Sequence, residues 1–158
     1  MNERKVPEEL AALDAELTGI GRRVQRQIDP GPAALGVSIA ILVLIVALIL
    51  PWTGPVRGWE VLAGIEPRLG VLPRLFTFTS LGFGLVVSTL ALATRWWALA
   101  WLAAVGCGIS VVTGLWAIWS RQVAVPVGGS GPGVGLVLAL LAVITLAICW
   151  ARIAGRRG

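Results

Sequence analysis

The feature that most constrains this chain is a pair of long apolar segments that nearly touch. One covers Leu75 to Ala93 and the next covers Trp96 to about Trp119, with only Thr94 and Arg95 between them. As a helix, each is long enough to cross the hydrocarbon core of a bilayer, which is about 30 Å thick. A two-residue connection does not allow independent placement of the two segments. They are therefore predicted to form an antiparallel helical hairpin.

Two further apolar segments flank the hairpin, and the composition agrees with membrane spans. The 158 residues are 57% hydrophobic and 13% charged, whereas soluble domains carry about 25% charged residues. The mean hydropathy is +0.87. We predict an all-α membrane protein whose transmembrane helices form an antiparallel bundle within residues 33–151. The four predicted spans cover about 33–50, 75–93, 96–119 and 133–151.

The segment before the first span, residues 1–32, has a helical pattern of its own. Its apolar residues recur every three or four positions, which places them on one helical face. The segment is predicted to be a cytoplasmic amphipathic helix. Either it lies on the bilayer surface, or it forms a short coiled coil with a second copy or a partner. The apolar face comprises Val6, Leu10, Leu13, Leu17, Ile20 and Val24.

The distribution of charge predicts the orientation. The N-terminal segment, the Thr94-Arg95 turn and the basic tail at 152–158 hold nine basic residues, and the other two connections hold four. The positive-inside rule then predicts a multi-pass protein of the bacterial plasma membrane with both termini cytoplasmic. The outer connection after the first span is predicted to contain a short helix around Trp59 to Ala63. Tryptophans predicted to anchor the interfaces are Trp52, Trp59, Trp96, Trp97, Trp116, Trp119 and Trp150.

Small residues recur at four-residue spacing in both helices of the hairpin. Such rows allow close backbone approach, which is the main attraction between helices in lipid. Packing of the two rows against each other is one interpretation, and acceptance of a helix from another subunit is the alternative. The predicted helix-packing residues are Ser80, Gly84 and Ser88 in one helix and Gly106, Ser110 and Gly114 in the other.

The spans carry no sign of chemistry. No charged residue or histidine lies in the middle of a span, and such residues mark proton relays and ion paths. Cys107 and Cys149 lie at different depths and have no histidine or acidic neighbour, so they are interpreted as packing residues. We therefore predict no enzyme activity, no cofactor and no metal. Basic residues are not interleaved with aromatics on a soluble face, which predicts no nucleic-acid partner.

Several short motifs resemble a known group of proteins. Asp29-Pro30-Gly31, the run Leu50-Pro51-Trp52-Thr53-Gly54, and the segments 94–101 and 115–122 resemble an uncharacterised family of small membrane proteins from mycobacteria and related actinobacteria. The resemblance implies a plasma-membrane setting. It supplies no activity and no site residues.

Two functions follow from these patterns. The first is a non-enzymatic accessory or scaffold subunit that contacts a larger plasma-membrane or envelope complex. The alternative is a homo-oligomeric channel or small-solute facilitator with a pore lined by Ser80, Ser88, Ser110 and Thr113. The expected partners are the lipid bilayer and either another membrane protein or a second copy of the chain.

Overall fold

The fold is a bundle of long helices closed at one end by a small β-hairpin. A computed structural model describes Leu13 and residues 31–65, 70–123 and 130–156. Nearly all of the predicted N-terminal helix, and the last two residues of the predicted tail, lie outside these ranges. The described elements are α1 (Ala33–Ile49), β1 (Pro51–Thr53), β2 (Val56–Arg57), α2 (Gly58–Ala63), α3 (Val71–Thr94), α4 (Trp97–Val123) and α5 (Val134–Gly155).

The long helices extend beyond the predicted spans. Helix α3 starts at Val71, four residues before Leu75. Pro73 does not prevent this earlier start, because an N–H in the first turn of a helix has no helical acceptor and proline lacks only that N–H. Helix α5 continues to Gly155, so Arg152 belongs to its last turn and not to a tail. Helices α3, α4 and α5 contain 24, 27 and 22 residues and have the length and composition to cross a membrane. Helix α1 is apolar but shorter, at 17 residues.

Helix α5 occupies the centre of the packing. It runs along both α1 and α4, and α3 packs mainly against α4. The interior is almost entirely apolar, and its fully buried side chains include Val37, Leu44, Phe76, Val143 and Leu146. This arrangement places the start of α1 beside the end of α5.

The middle of α3 is wound as a π-helix from Ser80 to Val87. The wider turns of a π-helix change which backbone groups can pair. The Ser88 hydroxyl donates a hydrogen bond of 2.9 Å to the Phe83 carbonyl and accepts one of 2.9 Å from the Trp150 indole N–H. A side chain of α5 is thereby fixed to the end of the π-helical segment.

The end of the bundle that carries the β-hairpin, here called the hairpin end, is tightly closed. Strands β1 and β2 pair antiparallel around Gly54, whose φ of 55° is accessible to glycine at little cost. Thr53 forms a bridge with Pro132, and the Gly133 N–H donates to the Trp52 carbonyl at 2.6 Å. Helix α2 follows β2 and confirms the short helix predicted around residues 59–63.

Candidate functional site at the open end of the bundle

The six predicted helix-packing residues are all buried, but the two rows do not face each other. A Cβ added at Gly106 would collide with the Phe83 ring, and one at Gly114 would lie 2.8 Å from Phe76. Two phenylalanines of α3 therefore fill the space over the small residues of α4. The row that contains Ser80, Gly84 and Ser88 instead faces α1 and α5, since a Cβ at Gly84 would lie 2.9 Å from Leu44. The predicted direct packing of the two rows is wrong, because large side chains beside them fill the groove.

The predicted tryptophan anchors divide into two groups. Five of them are substantially exposed, between 39% and 65%: Trp59, Trp96, Trp97, Trp116 and Trp119. Trp52 and Trp150 are wrong as surface anchors, since their exposed fractions are 1% and 0%. A buried indole N–H requires an acceptor, and each of these two finds one inside the bundle. Trp52 donates to the Ala47 carbonyl at 2.8 Å, and Trp150 donates to Ser88.

The opposite end of the bundle is open. A cavity of about 640 Å³ lies between the first turn of α1 and the last turns of α5. The Trp97 indole N–H reaches the Ala154 carbonyl at 3.4 Å, which places the turn between α3 and α4, and with it Arg95, at the same end. The open end is defined here by this turn and by the residues that line the cavity: Pro32, Ala33, Cys149, Arg152, Ile153, Gly155 and Arg156.

The electrostatic character of the open end is positive. Arg95, Arg152 and Arg156 are exposed, and within the described ranges no side-chain hydrogen bond or ion pair holds them. The single acid among the described residues, Glu60, lies at the hairpin end, where it accepts the Arg57 backbone N–H at 2.7 Å. Among the described residues, the open end therefore presents guanidinium groups without a side-chain partner, which are suited to bidentate contacts with phosphate or carboxylate.

Two of the three described arginines at the hairpin end, Arg74 and Arg121, contact other groups of the protein. The Arg74 guanidinium lies over the Phe78 ring, 5.7 Å from its centroid, and Arg121 donates to the Ser130 carbonyl at 3.4 Å. Three described arginines thus occupy each end, but they have different surroundings. Arginines without an intramolecular partner are the ones free to bind a ligand.

Arg95 occupies an unusual backbone position. It ends α3 in the left-handed conformation with a φ of 55°, and its N–H donates to the Ala91 carbonyl at 2.9 Å. Glycine is the usual residue at such a helix end, because a side chain is strained there. A strained residue at an exposed turn is a reason to look for a role of its side chain. Here that side chain is one of the open-end guanidinium groups.

The two cysteines of the described residues form no disulfide. Both Cys107 and Cys149 are free thiols; Cys107 is buried, and Cys149 faces Gly36 on α1. In the part of the chain that the structure describes, no group of three histidine, cysteine or acidic side chains is placed to hold a metal ion. The sequence analysis treated residues 152–158 as a tail and so missed the cavity. The spacing of Cys149, Arg152 and Arg156 by three and four residues was the signal of one helical face.

The described fold is an apolar helical bundle with one arginine-lined end, and comparison with known proteins identifies its family. A family model described as the MiaB C-terminal domain matches residues 14–158, so the chain belongs to that family. A relative from Mycobacterium avium (strain 104), named tRNA-2-methylthio-N(6)-dimethylallyladenosine synthase, is 46% identical over 152 residues. The alignment covers 94% of this chain and 21% of the relative, so the chain spans about a fifth of that protein's length. No solved structure matches the chain.

These matches correct the predicted family. The resemblance to an uncharacterised family of small four-span membrane proteins is wrong, because the MiaB C-terminal domain model covers residues 14–158. Tryptophans near the ends of apolar helices, as in the motifs that carried this resemblance, are a common feature of such helices. They describe a type of helix boundary and do not identify a family.

The predicted function is also corrected. A non-enzymatic accessory or scaffold subunit, the alternative of a channel, and the prediction of no enzyme activity are contradicted by a relative that is named as a synthase. The prediction rested mainly on the lack of ionisable groups in the middle of the apolar spans. It could not account for the four fifths of the relative that lie beyond the matched residues.

Two further predictions fail for the same reason. The predictions of no nucleic-acid partner and no metal are contradicted, because the relative is named as a synthase of a modified tRNA nucleoside. The predicted localisation, a multi-pass protein of the plasma membrane with both termini cytoplasmic, is contradicted by the same two matches. The predicted orientation came from counting basic residues in the connections between spans, and that rule assumes that the chain is by itself a membrane protein.

Proposed function

We propose that this chain takes part in tRNA modification as the C-terminal domain of a MiaB-type enzyme, the reaction being the one named for its relative. The observation that carries the proposal is the family match over residues 14–158 together with 46% identity over 152 residues. The product class is then a 2-methylthio-N(6)-dimethylallyladenosine in tRNA. The contribution of the chain is contact with the tRNA, and the open end is the surface for it.

Three features of the open end support contact with tRNA phosphates. Arg95, Arg152 and Arg156 are exposed and unpaired within the described ranges. The last two flank a cavity of about 640 Å³. Arginine binds phosphate through a planar fork of N–H donors, and phosphate contacts supply most of the sequence-independent affinity for nucleic acids.

A cellular experiment tests the role in tRNA modification. The gene segment encoding this chain is deleted, and the 2-methylthio-N(6)-dimethylallyladenosine content of total tRNA is measured by chromatography and mass spectrometry. We expect the content to fall and to recover when the intact chain is supplied. An unchanged content in the deletion strain would contradict the proposed function.

A binding experiment tests the role of the open end. The change is the double substitution Arg152→Gln and Arg156→Gln, and affinity for tRNA is measured against salt concentration. The slope of log affinity against log salt is negative, and each lost phosphate contact should make it less steep by about 0.7 to 0.9. The matched control is Arg74→Gln, since the Arg74 guanidinium lies over Phe78 at the other end. Equal slopes for both variants and the parent chain would show that the open end does not contact tRNA.

A further inference from the structure

The outer surface of the bundle is apolar along its whole length. On α4, every exposed residue from Trp101 to Trp119 is hydrophobic. Eighteen helical steps span about 27 Å, which is close to the thickness of a hydrocarbon core. The exposed residues on this stretch are Trp101, Leu102, Val105, Ile109, Val112, Leu115, Trp116 and Trp119.

The other three long helices present the same kind of surface. Large exposed side chains include Leu42 and Val46 on α1, Phe78 and Val86 on α3, and Leu141 on α5. The largest apolar patch on a soluble monomer typically measures about 300–600 Å². Here the exposed apolar residues are not confined to one patch, because they lie on all four long helices. A protein partner of ordinary size would cover only about 800 Å² of the chain's total accessible surface of 10066 Å².

Exposed hydroxyl groups on these helices are already satisfied. Ser38, Thr89 and Thr145 each donate to a carbonyl four residues earlier in the same helix, at 2.9, 2.6 and 2.9 Å. Such bonds remove the cost of placing a hydroxyl in an apolar medium. A surface in water does not require this pairing, because water would satisfy the same groups.

Charged and aromatic side chains mark the two ends of the apolar surface. On α4 and the turn before it, Arg95 and Arg121 lie beyond the apolar stretch. Exposed tryptophans occur at both limits: Trp97 and Trp101 at one, Trp116 and Trp119 at the other. Tryptophan prefers the boundary between hydrocarbon and headgroups, and arginine prefers the headgroup phosphates.

We propose that lipid acyl chains cover the outer surface of the bundle, with α3, α4 and α5 crossing a bilayer and the shorter α1 packed against α5. The proposal goes beyond tRNA modification and does not depend on it. It is also independent of the plasma-membrane localisation and orientation corrected above, because any bilayer of ordinary thickness fits the same surface. Small residues under Phe76 and Phe83 agree with it, since close packing is the main attraction between helices in lipid.

Spin-label accessibility tests the proposal directly. In a chain with Cys107→Ala and Cys149→Ala, one new cysteine is introduced by Val112→Cys at the middle of α4, or by Ser130→Cys in a loop of the hairpin end as the control. Each chain is reconstituted in vesicles of phosphatidylcholine and phosphatidylglycerol. At position 112 we expect collision with oxygen to exceed collision with a water-soluble nickel chelate several-fold, and at position 130 we expect the reverse. Preferential access of the nickel chelate at position 112 would overturn the proposed lipid contact. Protection of position 112 from both reagents would also overturn it, because it would indicate that a protein partner or a second copy covers this surface.

A flotation experiment adds a readout that needs no label. The intact chain, mixed with the same vesicles, is centrifuged through a density gradient after an alkaline wash. We expect the chain to float with the vesicles and Val112→Arg to reduce the floating fraction several-fold, because a charge in the hydrocarbon core is costly. Gln122→Arg is the matched control, since Gln122 lies at the end of α4 next to Arg121. A chain that remains soluble without lipid, or equal flotation of both arginine variants, would contradict the proposal.

Discussion

The two ends of the bundle differ in how their tryptophans and loops are held. At the hairpin end, Trp52 is 1% exposed, its ring centroid lies 5.6 Å from that of Phe76, and its indole N–H is bonded at 2.8 Å. At the open end, Trp97 is 39% exposed and its indole N–H makes a longer contact of 3.4 Å. Packing closes one end, whereas the other retains a cavity and arginines that have no side-chain partner among the described residues. The hairpin end therefore contributes stability, and the open end is available for binding.

The largest effect should come from adding a methyl group to the closed end. A Cβ at Gly133 would lie 2.5 Å from the Pro51 carbonyl oxygen and 2.8 Å from the Trp52 carbonyl carbon. These are backbone atoms that cannot move aside cheaply, and the Gly133 N–H would lose its bond to Trp52. We expect Gly133→Ala to lower the free energy of unfolding by about 3 kcal/mol, the upper part of the usual range for overpacking. Thermal unfolding followed by circular dichroism measures the change.

The control for this prediction lies two residues away. A Cβ at Gly131 would meet no atom within 4 Å, so Gly131→Ala should leave the unfolding temperature nearly unchanged. Equal effects of the two substitutions would mean that the contact between the β-hairpin and the start of α5 is looser than described. The hairpin end would then not be the more rigid of the two.

A pair of tryptophan substitutions compares the two ends directly. Helix α1 would normally satisfy the Ala47 carbonyl with the N–H of residue 51, but Pro51 has none, and the Trp52 indole takes its place. Trp52→Phe should therefore lower the free energy of unfolding by about 2 to 3 kcal/mol, because it leaves a buried acceptor unpaired and opens a small cavity. Trp97→Phe should cost less than about 1 kcal/mol, since its contact is longer and half exposed. Chemical unfolding of both variants gives the comparison, and a larger cost for Trp97→Phe would reverse it.

Much of the fold follows from hydropathy and turn signals. The near contact of two apolar segments at Thr94 and Arg95 is enough to predict the hairpin of α3 and α4, and the short α2 is predicted as well. The partners of the small residues are not predictable in this way. Spacing shows which residues share a face, but the π-helical turn and the bulk of Phe76 and Phe83 decide what that face meets.

The candidate site was less accessible to sequence reasoning. The cavity depends on where α5 ends relative to α1, and helix ends are set by a few local interactions that spacing does not reveal. Arginines after the last apolar residue were interpreted as a tail, although Arg152 lies in the last turn of α5. The family could not be inferred from composition, because the matched residues are only about a fifth of the relative.

The smallest expected effect concerns Arg95 and separates stability from binding at the open end. Because the φ of 55° strains any residue with a Cβ, Arg95→Gly should raise the free energy of unfolding by up to about 1 kcal/mol. The same change removes a guanidinium group, so affinity for tRNA should fall and the slope of log affinity against log salt should become less steep by about 0.7 to 0.9. Arg95→Asn is the matched control, because asparagine tolerates the left-handed conformation without supplying charge. If Arg95→Gly raises stability and leaves tRNA affinity unchanged, the strain at this turn has no connection with binding, and the open end would be limited to Arg152 and Arg156.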